Sequence, residues 1–183
     1  MPKLVVIDPG HGGHDPGAGT NGLREAELTL KIAKRVKAAL VRDFDVDVKL
    51  TRSDNRFVEL ADRATFANTR NADYFVSVHI NSGGGTGYED FVQPGSPAVT
   101  ERRRDKVHGA VMGFMSTKGV RDRGDKSKNL AVLRLTRMPA VLTENLFIDR
   151  EEDARLLRDD AFLKGLAEAH ARGIAAAMAL PRT

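Results

Sequence analysis

Short apolar runs alternate along the chain with longer stretches in which apolar residues recur every three or four positions. The short runs, typical of buried strands, cover residues 3–7, 46–51, 74–80, 88–92, 130–135 and 140–144. The longer stretches, typical of helices with one buried face, cover residues 25–44, 58–69, 97–115 and 160–180. Strands interleaved with helices predict an α/β fold: a single three-layer domain over residues 1–183, with a mostly parallel, twisted sheet covered by helices on both faces.

Two glycine-rich segments interrupt this pattern. Residues 8–22 follow the first strand and are predicted to form a loop, and residues 81–87 are predicted to form a mobile loop. The first segment superficially resembles a phosphate-binding loop, but it lacks the Gly-Lys-Ser/Thr sequence of such loops. The sequence therefore argues against a nucleoside-triphosphate enzyme.

Composition narrows the choice of chemistry. The 183 residues are 41% hydrophobic and 30% charged, enough for one domain that folds without a disulfide or a structural metal. Cysteine is absent, so any metal site must use histidine and carboxylate ligands, and a thiol nucleophile is excluded. The first apolar run, residues 4–7, is too short for a signal peptide or a membrane span. The sequence thus predicts a soluble protein with no signal peptide and no membrane partner.

The charge is unevenly distributed. The net charge is +4, and residues 101–128 hold nine Lys or Arg against four Asp or Glu, a local charge of +5. Such a segment indicates either an anionic partner or a solvated helix face, and the sequence leaves both open. Eight Phe, two Tyr and no Trp argue against a base-stacking surface, so no nucleic-acid partner is expected.

Polar residues with catalytic potential lie where the predicted strands end. His11 follows the first strand, His79 lies near the end of the strand over 74–80, and Glu144 ends the last strand. Ligands of open α/β sheets bind at the carboxyl ends of the strands. Catalytic zinc often has two His and one carboxylate as ligands and an open fourth position. The sequence has no local zinc motif such as H-E-x-x-H, so spacing alone does not establish a metal site.

Four blocks of sequence, in order, resemble the zinc-dependent N-acetylmuramoyl-L-alanine amidases (amidase type 3), a family that includes phage endolysins and bacterial autolysins. They are VVIDPGHGGHDPGA over 5–18, Glu25 with Leu30 and Ala33, SVHIN over 77–81, and MPAVLTENLFI over 138–148. The resemblance implies that His11, Glu25 and His79 bind one Zn²⁺ per chain and that Glu144 is the catalytic residue. It also implies that the substrate is peptidoglycan, cut between N-acetylmuramic acid and L-alanine.

The chain differs from some members of the family in two features. Many members have Gly before the Phe of the last block, where this chain has Asn145-Leu146, so the resemblance does not define the loop behind Glu144. Some members carry an inhibitory insertion near the site. The short stretch between His79 and Tyr88 has no room for one, and we expect an uncovered cleft.

The remaining histidines are expected to lie outside the metal site. His14 and His108 receive no ligand role, and His170 is predicted to be a hydrogen-bonded core residue on the apolar face of the last helix. Asp8 either accepts a hydrogen bond from the His11 ring, which would define its tautomer, or simply forms the turn.

Three functions remain to be distinguished: the amidase, a catalytically silent wall-binding module, and a zinc peptidase that cuts stem peptides. We expect a monomer without a cell-wall-binding domain. It would be made in the cytoplasm and act on the wall after release, as a phage endolysin, or be the excised domain of a secreted autolysin.

Overall fold

The computed structural model describes residues 2–20 and 22–183. Its strands are β1 Lys3–Pro9, β2 Gly19–Thr20, β3 Leu23–Arg24, β4 Val46–Leu50, β5 Tyr74–Asn81, β6 Tyr88–Val92, β7 Asp122–Ser127 and β8 Ala140–Phe147. Its α-helices are α1 Glu25–Asp43, α2 Leu60–Asn68, α3 Ala98–Met115, α4 Ala131–Arg134, α5 Glu151–Arg158 and α6 Asp160–Met178. A 3₁₀ turn, Ser116–Lys118, follows α3.

The central sheet has six strands in the order β4-β1-β5-β8-β6-β7. All neighbouring pairs are parallel except β6 with β8. β2 and β3 form a separate two-stranded hairpin. The predicted fold class is confirmed.

Successive residues of each strand face opposite layers, as the pleat requires. Val5, Ile7 and Val76 face a large core that is completed by α1, α3 and α6. Val6 and Phe75 face a smaller core that is completed by α2 and α4. The helices α2 and α4 have nine and four residues, so this second face of the sheet is only partly covered. The uncovered part is where the polar residues of the strands can meet solvent.

The structure corrects one predicted element and adds others. Residues 130–135 are not a strand: the segment forms the short helix α4, which buries Val132 and Leu133 against the smaller core. A run of six apolar-rich residues does not distinguish a buried strand from one helical turn. Strand β7 escaped prediction because its sequence, DRGDKS, is polar and lies at the sheet edge. Helix α5 and the hairpin were also not predicted.

The glycine-rich loop after β5 is tethered by two aspartates. Asp149 accepts hydrogen bonds from the backbone N–H groups of Gly83 and Gly84, both at 2.8 Å. Asp153 accepts from Thr86 Oγ1 at 2.7 Å and from the backbone N–H of Gly87 at 3.0 Å. No helix lies between β5 and β6 in the described chain, as expected for an uncovered site. Among the described residues, no helix is both long and apolar enough to cross a membrane.

Candidate metal centre and catalytic carboxylate

Three of the four predicted site residues converge on one point at the carboxyl end of the sheet. His11 follows β1, Glu25 is the first residue of α1, and His79 lies in β5. Glu25 Oε1 is 3.1 Å from His11 Nε2 and 3.1 Å from His79 Nδ1. One ligand atom from each residue lies within 4.8 Å of the others, close enough for all three to hold one metal ion.

The hydrogen bond between His11 and Asp15 favours a metal cation at this point. His11 Nδ1 is 2.8 Å from Asp15 Oδ2, so a neutral ring that donates its Nδ1 proton to Asp15 directs the Nε2 lone pair at Glu25. A lone pair facing a carboxylate oxygen is repulsive unless a proton or a metal ion lies between them. The donor set therefore fits a divalent metal, and Asp15 defines the tautomer of the ligand, as carboxylates commonly do beside metal-bound histidines.

The interpretation of Asp8 as the partner of the His11 ring is wrong. Asp8 is fully buried and accepts hydrogen bonds from Thr51 Oγ1, Ser77 Oγ and Arg63, at 2.6, 2.7 and 2.9 Å. Its position in β1 directs its side chain towards α2, where Arg63 lies. Asp8 thus neutralises the Arg63 guanidinium beneath the loop.

Two buried arginines hold the loop that carries His11. Arg63 donates to the carbonyls of Pro9 at 2.6 Å and of His11 at 2.8 Å. Arg52, with no exposed surface, donates to the carbonyls of Pro9, Gly10 and Ala26 at 3.1, 2.8 and 2.7 Å. A loop has no ladder to satisfy its carbonyls, and here the guanidinium groups do so. The loop is thereby held with His11 at φ +60°, a conformation uncommon for residues other than Gly.

Glycines make room for the ligands. A Cβ atom on Gly10 would lie 2.3 Å from the His79 ring. Gly17 has φ +65°, and a Cβ atom there would lie 2.6 Å from Glu25 Oε2 and 2.7 Å from the His11 ring. The loop backbone therefore packs directly against the ligand side chains, which no other residue type allows.

The charge states of the cluster reflect close pairing. Burial lowers the pKa of His11, but hydrogen bonds and charge from Glu25 and Asp15 outweigh it and raise the pKa to about 9. Burial raises the pKa of Glu25, but the two histidines lower it well below its usual range. Glu25 also accepts from the backbone N–H groups of Ala18 and Ile80, both at 3.0 Å. Glu25 is therefore a fixed anion with one oxygen directed at both imidazoles.

Glu144 lies beside this cluster. It is the register partner of His79 across the β5–β8 pair, so the two side chains project from the same face of adjacent strands. Its Oε2 atom is buried and has no hydrogen-bond partner among the described residues. Burial, opposed by the charge of His79 and aided by Glu25 and Glu89, raises the pKa of Glu144 to about 7. The carboxyl group can therefore exchange a proton near neutral pH.

A cavity of about 390 Å³ opens next to His11 and His79. Its walls come from the segment before α2 and from α4, and they include Phe57, Leu60 and Leu130. Leu60 is more than half exposed. The cleft is open, in agreement with the expectation, and offers apolar surface beside the ligand cluster.

The other histidines lie elsewhere, as predicted. His14 stacks against Phe57, with ring centroids 4.0 Å apart. His108 lies between Asp90 and Asp122, at 3.0 and 3.1 Å. His170 is fully buried, and its Nε2 is 2.8 Å from Asn145 Oδ1. Asn145 in turn donates to the carbonyl of His79 at 3.0 Å, so this core contact supports the strand that carries a ligand.

Sequence reasoning missed three supporting residues. Asp15 lies four positions after His11, and that short spacing in a glycine-rich loop was the available signal. Arg52 and Arg63 gave no signal of burial in the sequence, because an arginine after a strand or on a helix is normally exposed.

The fold and the site together define a class of protein. Two imidazoles and a carboxylate around one point, beside a buried carboxyl group and an open cleft, are the components of metal-dependent hydrolases.

The chain belongs to the N-acetylmuramoyl-L-alanine amidase family, whose model matches residues 5–176. This confirms the resemblance, and peptidoglycan is the substrate of the family. The chain is 49% identical over 178 residues to the endolysin of Bacillus phage SPP1, covering 96% of this chain and 66% of that protein. It is 45% identical to N-acetylmuramoyl-L-alanine amidase CwlM of Bacillus licheniformis, covering 97% of this chain and 70% of that protein.

The fold agrees with a solved structure of this class. The catalytic domain of CwlV, an N-acetylmuramoyl-L-alanine amidase from Bacillus (Paenibacillus) polymyxa var. colistinus, superposes with a TM-score of 0.90 at 34% identity. The match covers 98% of this chain and 99% of that domain.

Proposed function

We propose that this chain is a zinc-dependent amidase that hydrolyses the bond between the lactyl group of N-acetylmuramic acid and L-alanine in peptidoglycan. The observation that carries the proposal is the convergence of His11, Glu25 and His79, with ligand atoms within 4.8 Å, next to Glu144. Family membership supports the substrate class.

His11, Glu25 and His79 would hold one zinc ion. Two neutral imidazoles and one carboxylate match the ligands of catalytic zinc sites. When bound, zinc lowers the pKa of a water ligand towards about 7 and polarises the substrate carbonyl. Asp15 orients the His11 ring, and Arg52 and Arg63 keep its loop in place, so the ligand atoms are positioned before the ion binds.

Glu144 is the proposed general base and general acid. Burial raises the pKa of its carboxyl group, and a raised pKa makes the carboxylate a stronger base. Its unpartnered oxygen would accept the proton of the attacking water and then deliver it to the departing amino group of alanine. A positioned acid–base group of this kind contributes about 10²–10⁴ in rate.

The decisive experiment measures zinc content and turnover of purified wall for Glu144→Gln. We expect about one zinc per chain, as in the wild type, and a loss of turnover of about 10²–10⁴. The matched control is Glu152→Gln, which removes an exposed carboxylate on α5 and should change neither quantity. Loss of zinc from Glu144→Gln would show instead that Glu144 is a ligand and would refute the assigned roles.

The products distinguish the three candidate functions. An amidase releases free N-terminal alanine without new reducing sugar, a peptidase exposes other amino termini, and a wall-binding module releases nothing. Chelation should abolish the activity because it removes the zinc ion from His11, Glu25 and His79, and added zinc should restore it. Activity that survives rigorous chelation would eliminate the metal mechanism.

Residues 1–183 are proposed to act as one catalytic domain and as a monomer, because all four site residues come from one chain. Light scattering of the purified protein, together with wall hydrolysis by the chain alone, tests both points. We place its action at the cell wall, after release as in a phage endolysin or as part of a secreted autolysin. The similarity to the SPP1 endolysin supports this placement.

A further inference from the structure

A row of charged side chains crosses the sheet from the ligand cluster to its edge. His79 on β5 pairs in register with Glu144 on β8, which pairs in register with Glu89 on β6. Register partners project from the same face of a sheet. Beyond Glu89 lies the edge strand β7, where the register shifts so that Arg123 and Gly124 oppose Glu89. Such an irregularity re-aims a side chain, here that of Arg123.

Glu89 anchors two cations of β7. It is only 4% exposed, and it accepts hydrogen bonds from Asn81 Nδ2 at 2.7 Å, from Arg123 Nε at 3.1 Å, and from Lys126 Nζ. One carboxylate faces two cations, so the cluster retains a net charge of about +1. These are two of the basic residues that give the segment 101–128 its excess charge.

Arg123 is held in one orientation with its outer nitrogens free. Its guanidinium lies over the Phe147 ring, 4.8 Å from the centroid, and its Nε is bound to Glu89. Neither terminal nitrogen makes a hydrogen bond to any residue of 2–20 or 22–183, and the side chain is 26% exposed. A guanidinium held by a carboxylate and a ring, with its fork unoccupied, is preorganised to bind a carboxylate in a bidentate manner.

We propose that Arg123 and Lys126 form an anion subsite that binds a carboxylate of the stem peptide during hydrolysis. The inference rests on the proposed function. Two strand spacings, about 10 Å, separate Glu144 from β7, and an extended peptide covers that span in about three residues. The reach of the Arg123 side chain brings the second stem residue into range. A carboxylate on that residue would carry the charge that the two cations bind, whereas a carboxamide would not.

The test uses two synthetic muramoyl peptides that differ only in having a carboxylate or a carboxamide at the second residue. The zinc-loaded wild type should cleave the carboxylate substrate with a kcat/KM at least about tenfold higher. Arg123→Gln should lose this preference, so that its kcat/KM values for the two substrates differ by less than about twofold. Arg121→Gln, which removes an exposed cation just before β7, is the matched control and should keep the preference.

Each result decides between the subsite and its alternatives. Equal cleavage of both substrates by the wild type overturns the subsite and leaves the amidase intact, whereas cleavage of neither overturns the proposed function itself. An equal loss on both substrates in Arg123→Gln assigns the arginine a structural role and overturns the subsite. The wild-type comparison needs no variant, and Lys126→Gln, expected to weaken the preference, provides a second test if Arg123→Gln does not fold.

Discussion

Leu146 provides a sharp test of how the strand behind Glu144 is built. It is fully buried in the larger core, yet its φ is +73°, a left-handed conformation that costs a residue with a Cβ about 1–2 kcal/mol. Leu146→Ala deletes the buried side chain and keeps the backbone strain, so we expect a loss of about 2–5 kcal/mol in the free energy of unfolding. Leu146→Gly deletes the same side chain and relieves the strain. The Gly variant should therefore be more stable than the Ala variant by about 1 kcal/mol.

The order of the two variants in free energy of unfolding is the diagnostic result, because a Gly variant is normally less stable than the corresponding Ala variant by about 0.5–1 kcal/mol. Urea unfolding gives the free energies, and a difference of 1 kcal/mol corresponds to about 2–4 °C in Tm for a domain of this size. Ala38→Gly, at an exposed position within α1, is the control and should show the normal loss. If Leu146→Gly proves less stable than Leu146→Ala, the claim of backbone strain at this position is wrong.

Three further predictions concern the ligand loop and the core. Gly17→Ala should weaken zinc binding about 10–100-fold by calorimetry, whereas Gly119→Ala, at φ +72° with open space around it, should not. Arg52→Met should lower the free energy of unfolding in urea by about 3 kcal/mol or more, because it leaves buried carbonyls unpaired. Burial lowers the pKa of His108, but Asp90 and Asp122 raise it to about 9, so its protonated form stabilises the fold below pH 6.5 and this contribution is lost as the pH rises through 9. His108→Gln should therefore lower the free energy of unfolding more at pH 6 than at pH 9.5. Each of the three predictions has one contradicting result. These are unchanged zinc binding in Gly17→Ala, an undiminished free energy of unfolding in Arg52→Met, and a pH-independent loss of stability in His108→Gln.

The position of the site follows from the uneven covering of the sheet. The long helices α1, α3 and α6 seal one face, while the nine residues of α2 and the four of α4 leave part of the other face open. His79, Glu144 and Glu89 project from that open face. Burial raises the pKa of Glu144, and the cleft is lined by its register partner His79 and by His11. The same arrangement therefore raises the pKa of the carboxyl group and places it beside the residues that line the cleft.

The sequence by itself determined the fold class and the family, and it predicted four site residues, of which the structure brings His11, Glu25 and His79 together. Apolar runs in the sequence indicate buried strands, and each block around His11, His79 and Glu144 is a short continuous segment. Both can therefore be recognised without knowledge of distant contacts. The order of those blocks, and not any spacing between ligands, identified Glu25 as part of the cluster. His170 was also predicted correctly, because an apolar helix face predicts burial.

The tertiary structure alone decided which polar residues support the site. Asp15 and not Asp8 orients His11, Arg52 and Arg63 are buried, and the polar edge strand β7 brings Arg123 to Glu89. Each of these contacts joins side chains whose charge or exposure depends on a partner in another element. A hydrophobic pattern records whether a residue is apolar, whereas the burial of a charged group is decided by whether the folded chain places an opposite charge or a set of carbonyls against it.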